Sequence, residues 1–323
     1  MSSFLDPAIL FFLIGIFAGL VRSNLEIPPQ IARFLALYLL MALGLKGGFA
    51  LAKTGFTLEV MEGLLAALFL ATLIPFMGYQ LLKRWVSPFD AAAIAATYGS
   101  VSAVTFITTV QYLDTHGIEY SGHMAAAMAL MESPAIIMAV LFANAARRKV
   151  NTTSSSNSAI VHVLHESFTD GAQLLLLGAM LVGYLSGESG KAMMAPFSID
   201  LFKGMLAFFL LDMGLSTAKN LGHLKGTSPL LIAYGVLGPI LHAGIAFVLS
   251  SVLGLSHGDA ALLMVLAASA SYIAVPAVVR YAIPEAKASL YFGLSLGVTF
   301  PLNIIFGIPI YVDMASRLFS LGV

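Results

Sequence analysis

"DAAAIAATYGSVSAVT" (residues 90–105) starts as an apolar helix and turns polar where the middle of that helix should be. Thr97, Tyr98, Gly99, Ser100, Ser102 and Thr105 gather hydroxyls and a glycine in a chain whose charged residues are only 10% of the total. Glycine weakens a helix interior through backbone entropy, and serine weakens it by competing for backbone hydrogen bonds. A second stretch, "DAALLMVLAASASYIA" (259–274), repeats the pattern and aligns Ser100 with Ser269 and Ser102 with Ser271. One unusual pattern occurring twice points to a duplicated unit.

Two further matches lie in the same order. "RFLALYLLMALGLK" (33–46) aligns with "KGMLAFFLLDMGLS" (203–216), pairing Arg33 with Lys203 and Gly44 with Gly214. "MALMESPAII" (128–137) aligns with "SLGVTFPLNI" (295–304), pairing Pro134 with Pro301. The three offsets are 170, 169 and 167 residues. Any one match between apolar helices is weak; three collinear ones make duplication the better explanation.

Composition places the units in a membrane. The hydrophobic share is 59% and the mean hydropathy +0.94, and a hydrocarbon core about 30 Å thick needs about 20 apolar residues per helix. Apolar runs fall near 7–22, 31–52, 59–82, 90–113 and 121–146, and again near 169–186, 198–219, 228–253, 259–282 and 288–316. The expected fold is therefore an all-α integral membrane protein of ten spans. Its first five-helix unit covers 1–146, a polar linker 147–168, and the second unit 169–323. The start of the chain has no basic segment and carries Asp6, so it is expected to be a span and not a cleaved signal. The absence of cysteine excludes disulfides. Zero net charge without a basic run argues against nucleic acid, and no nucleotide-binding glycine loop supports transport driven directly by ATP.

Five spans is an odd number, so the second unit must enter the membrane inverted. Lys and Arg placement agrees. One side collects Arg22, Arg33, Lys83, Arg84, Arg147, Arg148, Lys149, Lys219, Lys225, Arg280 and Lys287, the other only Lys53, Lys191, Lys203 and Arg317. The basic side is expected to be cytoplasmic, with both termini outside. Inverted repeats are common in secondary transporters, whose substrate and ion sites lie near the midplane at paired broken helices. Non-helical backbone is tolerated at that depth only when it is buried in protein or lines a cavity. Gly99, Ser100, Ser102 and Thr105, with Ser269, Ser271 and Tyr272, are thus candidates to surround a small anion. Small residues also line membrane helix contacts simply because they let backbones approach; recurrence in both units favours the site.

Glu132 is an acid inside an apolar run, two residues before Pro134, which frees a backbone carbonyl. With Ser133, and with Ser295, Thr299 and Asn303 around the matching Pro301, it is a candidate for holding Na⁺ or a proton. Asp212 is a second intramembrane acid but aligns with Ala42, and Lys46 in "GLKGG" can snorkel or function. "HVLHE" (162–166) lies in the linker, lacks the zinc-helix spacing, and is expected to be solvated.

The motifs "GLKGG" (44–48), "YGSVSAVTF" (98–106), "MESPAIIMAV" (131–140), "LHES" (164–167), "AASASYIAVPAVVRYAIPEA" (267–286) and "SLGVTFPLNI" (295–304) resemble the sodium-dependent bicarbonate transporters of the SbtA type across nearly the whole chain. The resemblance implies a 5+5 inverted repeat with two crossed, broken helices, symport of bicarbonate with Na⁺, a homotrimer and residence in the bacterial inner membrane. A PII-like signalling protein inhibits some members from the cytoplasmic side. The linker is shorter here, Tyr272 and Val275 stand where the cyanobacterial pattern has aspartate and glycine, and Ala103-Val104 replaces glycine and serine. Another small anion or carboxylate, coupled to Na⁺ or H⁺, is the alternative cargo. A ligand-binding sensor is the alternative class, and an enzyme is not expected.

Overall fold

A computed structural model describes residues 6–149, 171–224 and 226–320, and every regular element among them is helical. In chain order these are α1 (Pro7–Leu20), α2 (Pro29–Thr54), α3 (Leu58–Leu82), α4 (Pro88–Gly99), α5 (Ala103–His116) and α6 (His123–Lys149). They continue with α7 (Gly171–Ala195), α8 (Phe202–Asn220), α9 (Pro229–Leu253), α10 (His257–Ala268) and α11 (Ala274–Ala282). The last stretch runs through α12 (Ala288–Leu294), α13 (Phe300–Leu302) and α14 (Ile308–Ser320), joined by π turns at Ser295–Thr299 and Asn303–Gly307. Each apolar run in the sequence coincides with one helix, a broken pair, or this π-interrupted stretch. The linker motifs "HVLHE" and "LHES" lie outside the described residues.

The ends are set by local chemistry. Proline opens α1, α2, α4 and α9, where its missing N–H has no helical partner to lose. Asp6, Thr57, Ser87, Ser228 and Ser256 cap α1, α3, α4, α9 and α10 by accepting a first-turn N–H. Among the described residues, seven helical stretches are long and apolar enough to cross a membrane, including Pro88–His116, which joins α4 to α5, and Gly171–Asn220, which joins α7 to α8. The molecule is thus an all-α, multi-pass bundle. α7 is not continuous: Gly187 has φ 55° and ψ −144°, outside the helical region.

The packing pairs the halves. α1 lies against α8, and α2 against α7, in the two most extensive helix contacts of the structure. Both are glycine approaches: a Cβ on Gly15 would stand 2.2 Å from the Leu211 carbonyl oxygen, and one on Gly214 would stand 2.2 Å from that of Phe12. Gly48 and Gly183 make the corresponding contact between α2 and α7. Without side chains between them, the backbones gain dispersion contact that lipid cannot replace. Gly214→Val is expected to force α1 off α8 and cost about 1–3 kcal/mol, read as a lowered thermal midpoint in detergent. An unchanged midpoint would show that this contact is slack.

α3 packs on α4 and α6 in the first half, while α9 packs on α10 and α10 on α14 in the second. α4 and α10 are the most enclosed elements. Ten residues of α4, from Asp90 to Gly99, are buried, as are eleven of α10, from Gly258 to Ala268. Two buried carboxylates tie these helices across the halves. Asp90 accepts from the Ser87 hydroxyl and from Lys287 N, both at 2.7 Å, so α4 holds the start of α12. Asp259 accepts from Ser121 N at 2.7 Å, so α10 holds the approach to α6. At the other end of α6, Arg147 forks onto Glu285 (2.8 and 2.7 Å) and donates to the Ala282 carbonyl at 2.9 Å.

That fork holds the Glu285 carboxyl below its usual range, chiefly through the hydrogen bonds from Arg147. A depressed folded-state value means the pair contributes stability above the ordinary carboxylate range and loses it as pH falls through the folded value. Glu285 is partly exposed, so Glu285→Gln is expected to cost at most about 1 kcal/mol at pH 7. The difference from the unchanged protein should vanish in acid denaturation, and a difference that persists there would rule out the ion pair as its source.

Candidate functional site

The polar cluster of 97–105 is a break. α4 ends at Gly99, Ser100 is extended (φ −91°, ψ −172°), and Ser102 (φ −102°, ψ 108°) caps α5. The Ser102 hydroxyl accepts from Thr105 N at 3.2 Å and from the Thr105 hydroxyl at 2.9 Å. Gly99 is pressed on the α3 proline, since a Cβ there would come within 2.5 Å of the Pro75 ring. Any larger residue would push the end of α4 away from α3.

The second cluster breaks in the same way. α10 ends at Ala268, Ser269 is extended (φ −81°, ψ 165°), and α11 begins at Ala274. The Ser269 hydroxyl donates to Leu266 O at 2.9 Å, and the Ser271 hydroxyl accepts from Val275 N at 3.3 Å. The breaks are joined: Ser271 N donates to Thr97 O at 2.8 Å, and Ser102 N donates to the Ser269 hydroxyl at 3.0 Å. Two hydrogen bonds therefore link residues that the sequence keeps 167 and more positions apart.

All seven expected substrate residues are buried, and the structure places them at this junction. Ser100 differs from the rest: its hydroxyl is wholly buried and has no hydrogen-bond partner among the described residues. Leaving a hydroxyl unpaired costs about 1–3 kcal/mol, a cost that a bound acceptor would remove. The Tyr272 hydroxyl donates to the Met213 sulfur at 3.6 Å and also reaches Ser102. Its ring meets Phe300 edge-on at 5.2 Å. Of the first N–H groups of α5, those of Thr105 and Phe106 are taken by the Ser102 hydroxyl and carbonyl, and those of Ala103 and Val104 have no acceptor within their own helix. Hydroxyls of both breaks thus gather at one buried junction, with that of Ser100 unengaged.

The cation candidates divide between two places. Thr299 accepts from Tyr98 at 2.6 Å and donates to Gly235 O at 2.7 Å, and Asn303 donates to Ala268 O at 2.8 Å. Both residues therefore adjoin the last turns of the half-helices α4 and α10. Ser295 returns its hydroxyl to Tyr291 O at 2.7 Å inside its own helix. Glu132 is half-buried on α6 and accepts a hydrogen bond from Gln173 of α7, with buried Ser133 beside it. Glu132 is thereby held from α7, while Thr299 and Asn303 are held from α4, α9 and α10. Lys46 is paired with Asp114 at 3.0 Å and lies 4.3 Å from the centre of the Phe202 ring.

Sequence reading did not find Asp90, Asp259, Gln173 or the Tyr98–Thr299 link. A signal for the two aspartates was present: Ser87-x-x-Asp90 and Ser256-x-x-Asp259 share the spacing of a helix-capping box. Among the described residues, no group of three or more His, Asp or Glu side chains is arranged for a metal ion.

No curated protein matches the chain at a meaningful level. The model of one family matches residues 7–316, which takes in both breaks and every candidate residue above. The chain belongs to the Na⁺-dependent bicarbonate transporter superfamily.

Proposed function

We propose that this protein carries bicarbonate into the cell together with Na⁺, through ten spans arranged as two inverted five-helix units. The superfamily is one of Na⁺-dependent transporters, not of enzymes. The repeat is supported by reciprocal pairings: α1 on α8 is answered by α2 on α7, and the Asp90–Lys287 bond by the Asp259–Ser121 bond. The 11-to-4 Lys/Arg asymmetry outside Lys46 supports both termini lying outside a bacterial inner membrane.

The observation that carries the substrate assignment is the buried, unpartnered Ser100 hydroxyl between two linked breaks. Bicarbonate is small and singly charged, with several acceptor oxygens for hydroxyl and amide donors. Gly99, Ser100, Ser102, Thr105, Ser269, Ser271 and Tyr272 are assigned to it. Na⁺ takes oxygen ligands, and Ser295, Thr299, Asn303, Ser133 and Glu132 are assigned to the cation, with carbonyls at the ends of α4 and α10 within reach of the first group. The ion would offset the anion's charge in a medium of low dielectric. Burial of the serines corresponds to a closed site, so transport requires one set of helices to move against the other. A homotrimer and a PII-like partner belong to the same proposal and rest on the resemblance alone.

The test is uptake of labelled bicarbonate into proteoliposomes with and without a Na⁺ gradient, in competition with other small anions and carboxylates. Na⁺-driven accumulation selective for bicarbonate is expected. Accumulation of another anion would move the cargo, and saturable binding without accumulation would make the protein a sensor. Glu132→Gln keeps the shape and the contact to Gln173 but removes the charge. It should raise the Na⁺ needed for half-maximal uptake about tenfold, and an unchanged Na⁺ dependence would remove Glu132 from the cation assignment. Cysteines placed at Ser2 and Ser155 in this cysteine-free chain should react from opposite sides; same-side reaction would sink the inverted topology.

A further inference from the structure

Asp212 is an acid that the site described above leaves unused. It lies eight residues before the end of α8 at Asn220, about 12 Å along the helix axis, and is half-buried. Intramembrane acids generally face a cavity or a partner and serve a purpose there. Asp212 lines a cavity of about 290 Å³ between the approach to α2 and the end of α8, together with Glu26, Ala32, Leu215, Ser216 and Lys219. No residue of the breaks lines the cavity, and its link to them runs through the neighbour of Asp212. Met213, the next residue, accepts the Tyr272 hydroxyl bond, and the charge of Asp212 acts on that same phenol. Tyr272 in turn bears on Ser102, so the residue next to Asp212 is tied to the break serines through one phenol. Lys219, seven residues further along α8 and exposed, is the basic group acting on Asp212. Two carboxylates and one ammonium leave the cavity net negative.

We infer that Asp212 binds the coupling cation on its way from the site to the cytoplasm, in a vestibule formed by α8 and the approach to α2. The inference rests on the proposed Na⁺ symport and its orientation, and it adds a station separate from the Glu132, Thr299 and Asn303 groups. A cation leaving the breaks meets Asp212 first, then Glu26 and bulk water, with Lys219 at the mouth opposing its return.

Internal Na⁺ should therefore slow uptake by reoccupying this station. In proteoliposomes of known orientation, Asp212→Asn is expected to raise the internal Na⁺ needed for half-inhibition at least tenfold. The external Na⁺ needed for half-activation should change less than twofold, and Asp212→Glu should retain the inhibition. Lys219→Gln leaves the carboxylate in place and should make internal Na⁺ several-fold more inhibitory. Asp212→Cys in the cysteine-free chain should react with a small charged thiol reagent from the cytoplasmic side, more slowly in Na⁺ than in choline. Unchanged internal inhibition in both Asp212→Asn and Lys219→Gln, or labelling indifferent to Na⁺, would overturn the inference. So would an effect of Asp212→Asn confined to pH dependence, which would reassign the carboxylate to protons. If the unsubstituted protein shows no Na⁺-driven uptake, the proposed symport fails, whereas the labelling test still reports on Asp212.

Discussion

Ser100→Ala should reduce bicarbonate uptake about tenfold or more and leave the protein as stable as before, or slightly more so. The two directions have one cause. In the closed structure the Ser100 hydroxyl is buried without a partner, so removing it relieves a desolvated group at no loss of native hydrogen bonds. In the loaded state that hydroxyl would donate to a charged acceptor, a bond worth roughly 1.5–3 kcal/mol, or about 10- to 150-fold in binding at 1.4 kcal/mol per factor of ten. Ser250 supplies the control. Its hydroxyl on α9 is also buried and unpartnered, but it lies outside both breaks, so Ser250→Ala should match the stability effect and spare uptake. Ser102→Ala and Ser271→Ala should also reduce uptake, but with some loss of stability, because these hydroxyls accept from Thr105 N and Val275 N. Thermal midpoints and initial uptake rates, measured on the four variants together, decide the matter. Equal uptake in Ser100→Ala and Ser250→Ala would return the break serines to a packing role.

The sequence was most legible where backbone chemistry is local. Gly99, Ser100 and Ser102 interrupt a helix because serine and glycine satisfy or free the backbone within a few residues, and the break falls where the pattern places it. Pro7, Pro29, Pro88 and Pro229 carried a further local signal that the apolar runs alone did not use, since each fixes where a helix can begin. Side-chain partnerships across the bundle were much less legible. Nothing in the sequence around Glu132 specifies Gln173 as its partner, since that contact depends on how α7 crosses α6. Tyr98 reaches Thr299 only because α4 lies beside the π-interrupted stretch after α12, and a π turn shifts the facing side chains in a way that ordinary helical spacing does not anticipate. Asp212 was visible as an intramembrane acid, but its cavity is formed by the approach to α2, far from it in sequence.

Asp90→Ala is expected to be the most damaging of the buried-carboxylate substitutions, and comparison with Asp259→Ala tests whether the two halves are held alike. Asp90 receives two donors, the Ser87 hydroxyl and Lys287 N. Asp259 receives Ser121 N on one oxygen, while its other oxygen is buried without a partner. Hydrogen bonds to a charged group contribute about 1.5–3 kcal/mol each, and a stranded buried N–H adds its own cost. Removing the Asp90 carboxylate should therefore cost about 3 kcal/mol or more, and removing that of Asp259 roughly half as much, since its vacant oxygen already carries a desolvation cost. The Asn replacements should separate further. Asp90→Asn can keep the Lys287 bond but must turn an amide N–H toward the Ser87 hydroxyl, whereas Asp259→Asn keeps its single bond and loses a buried charge, so it should be close to neutral. Because Asp90 fixes the start of α12 and Asp259 the approach to α6, proteolysis and thermal unfolding of each Ala variant should begin in the other half from the substituted residue. If both Ala variants lose equal stability and open at the same end, the carboxylates act only within their own helices, and the cross-half ties would have to be supplied by the glycine contacts of α1 with α8 and α2 with α7.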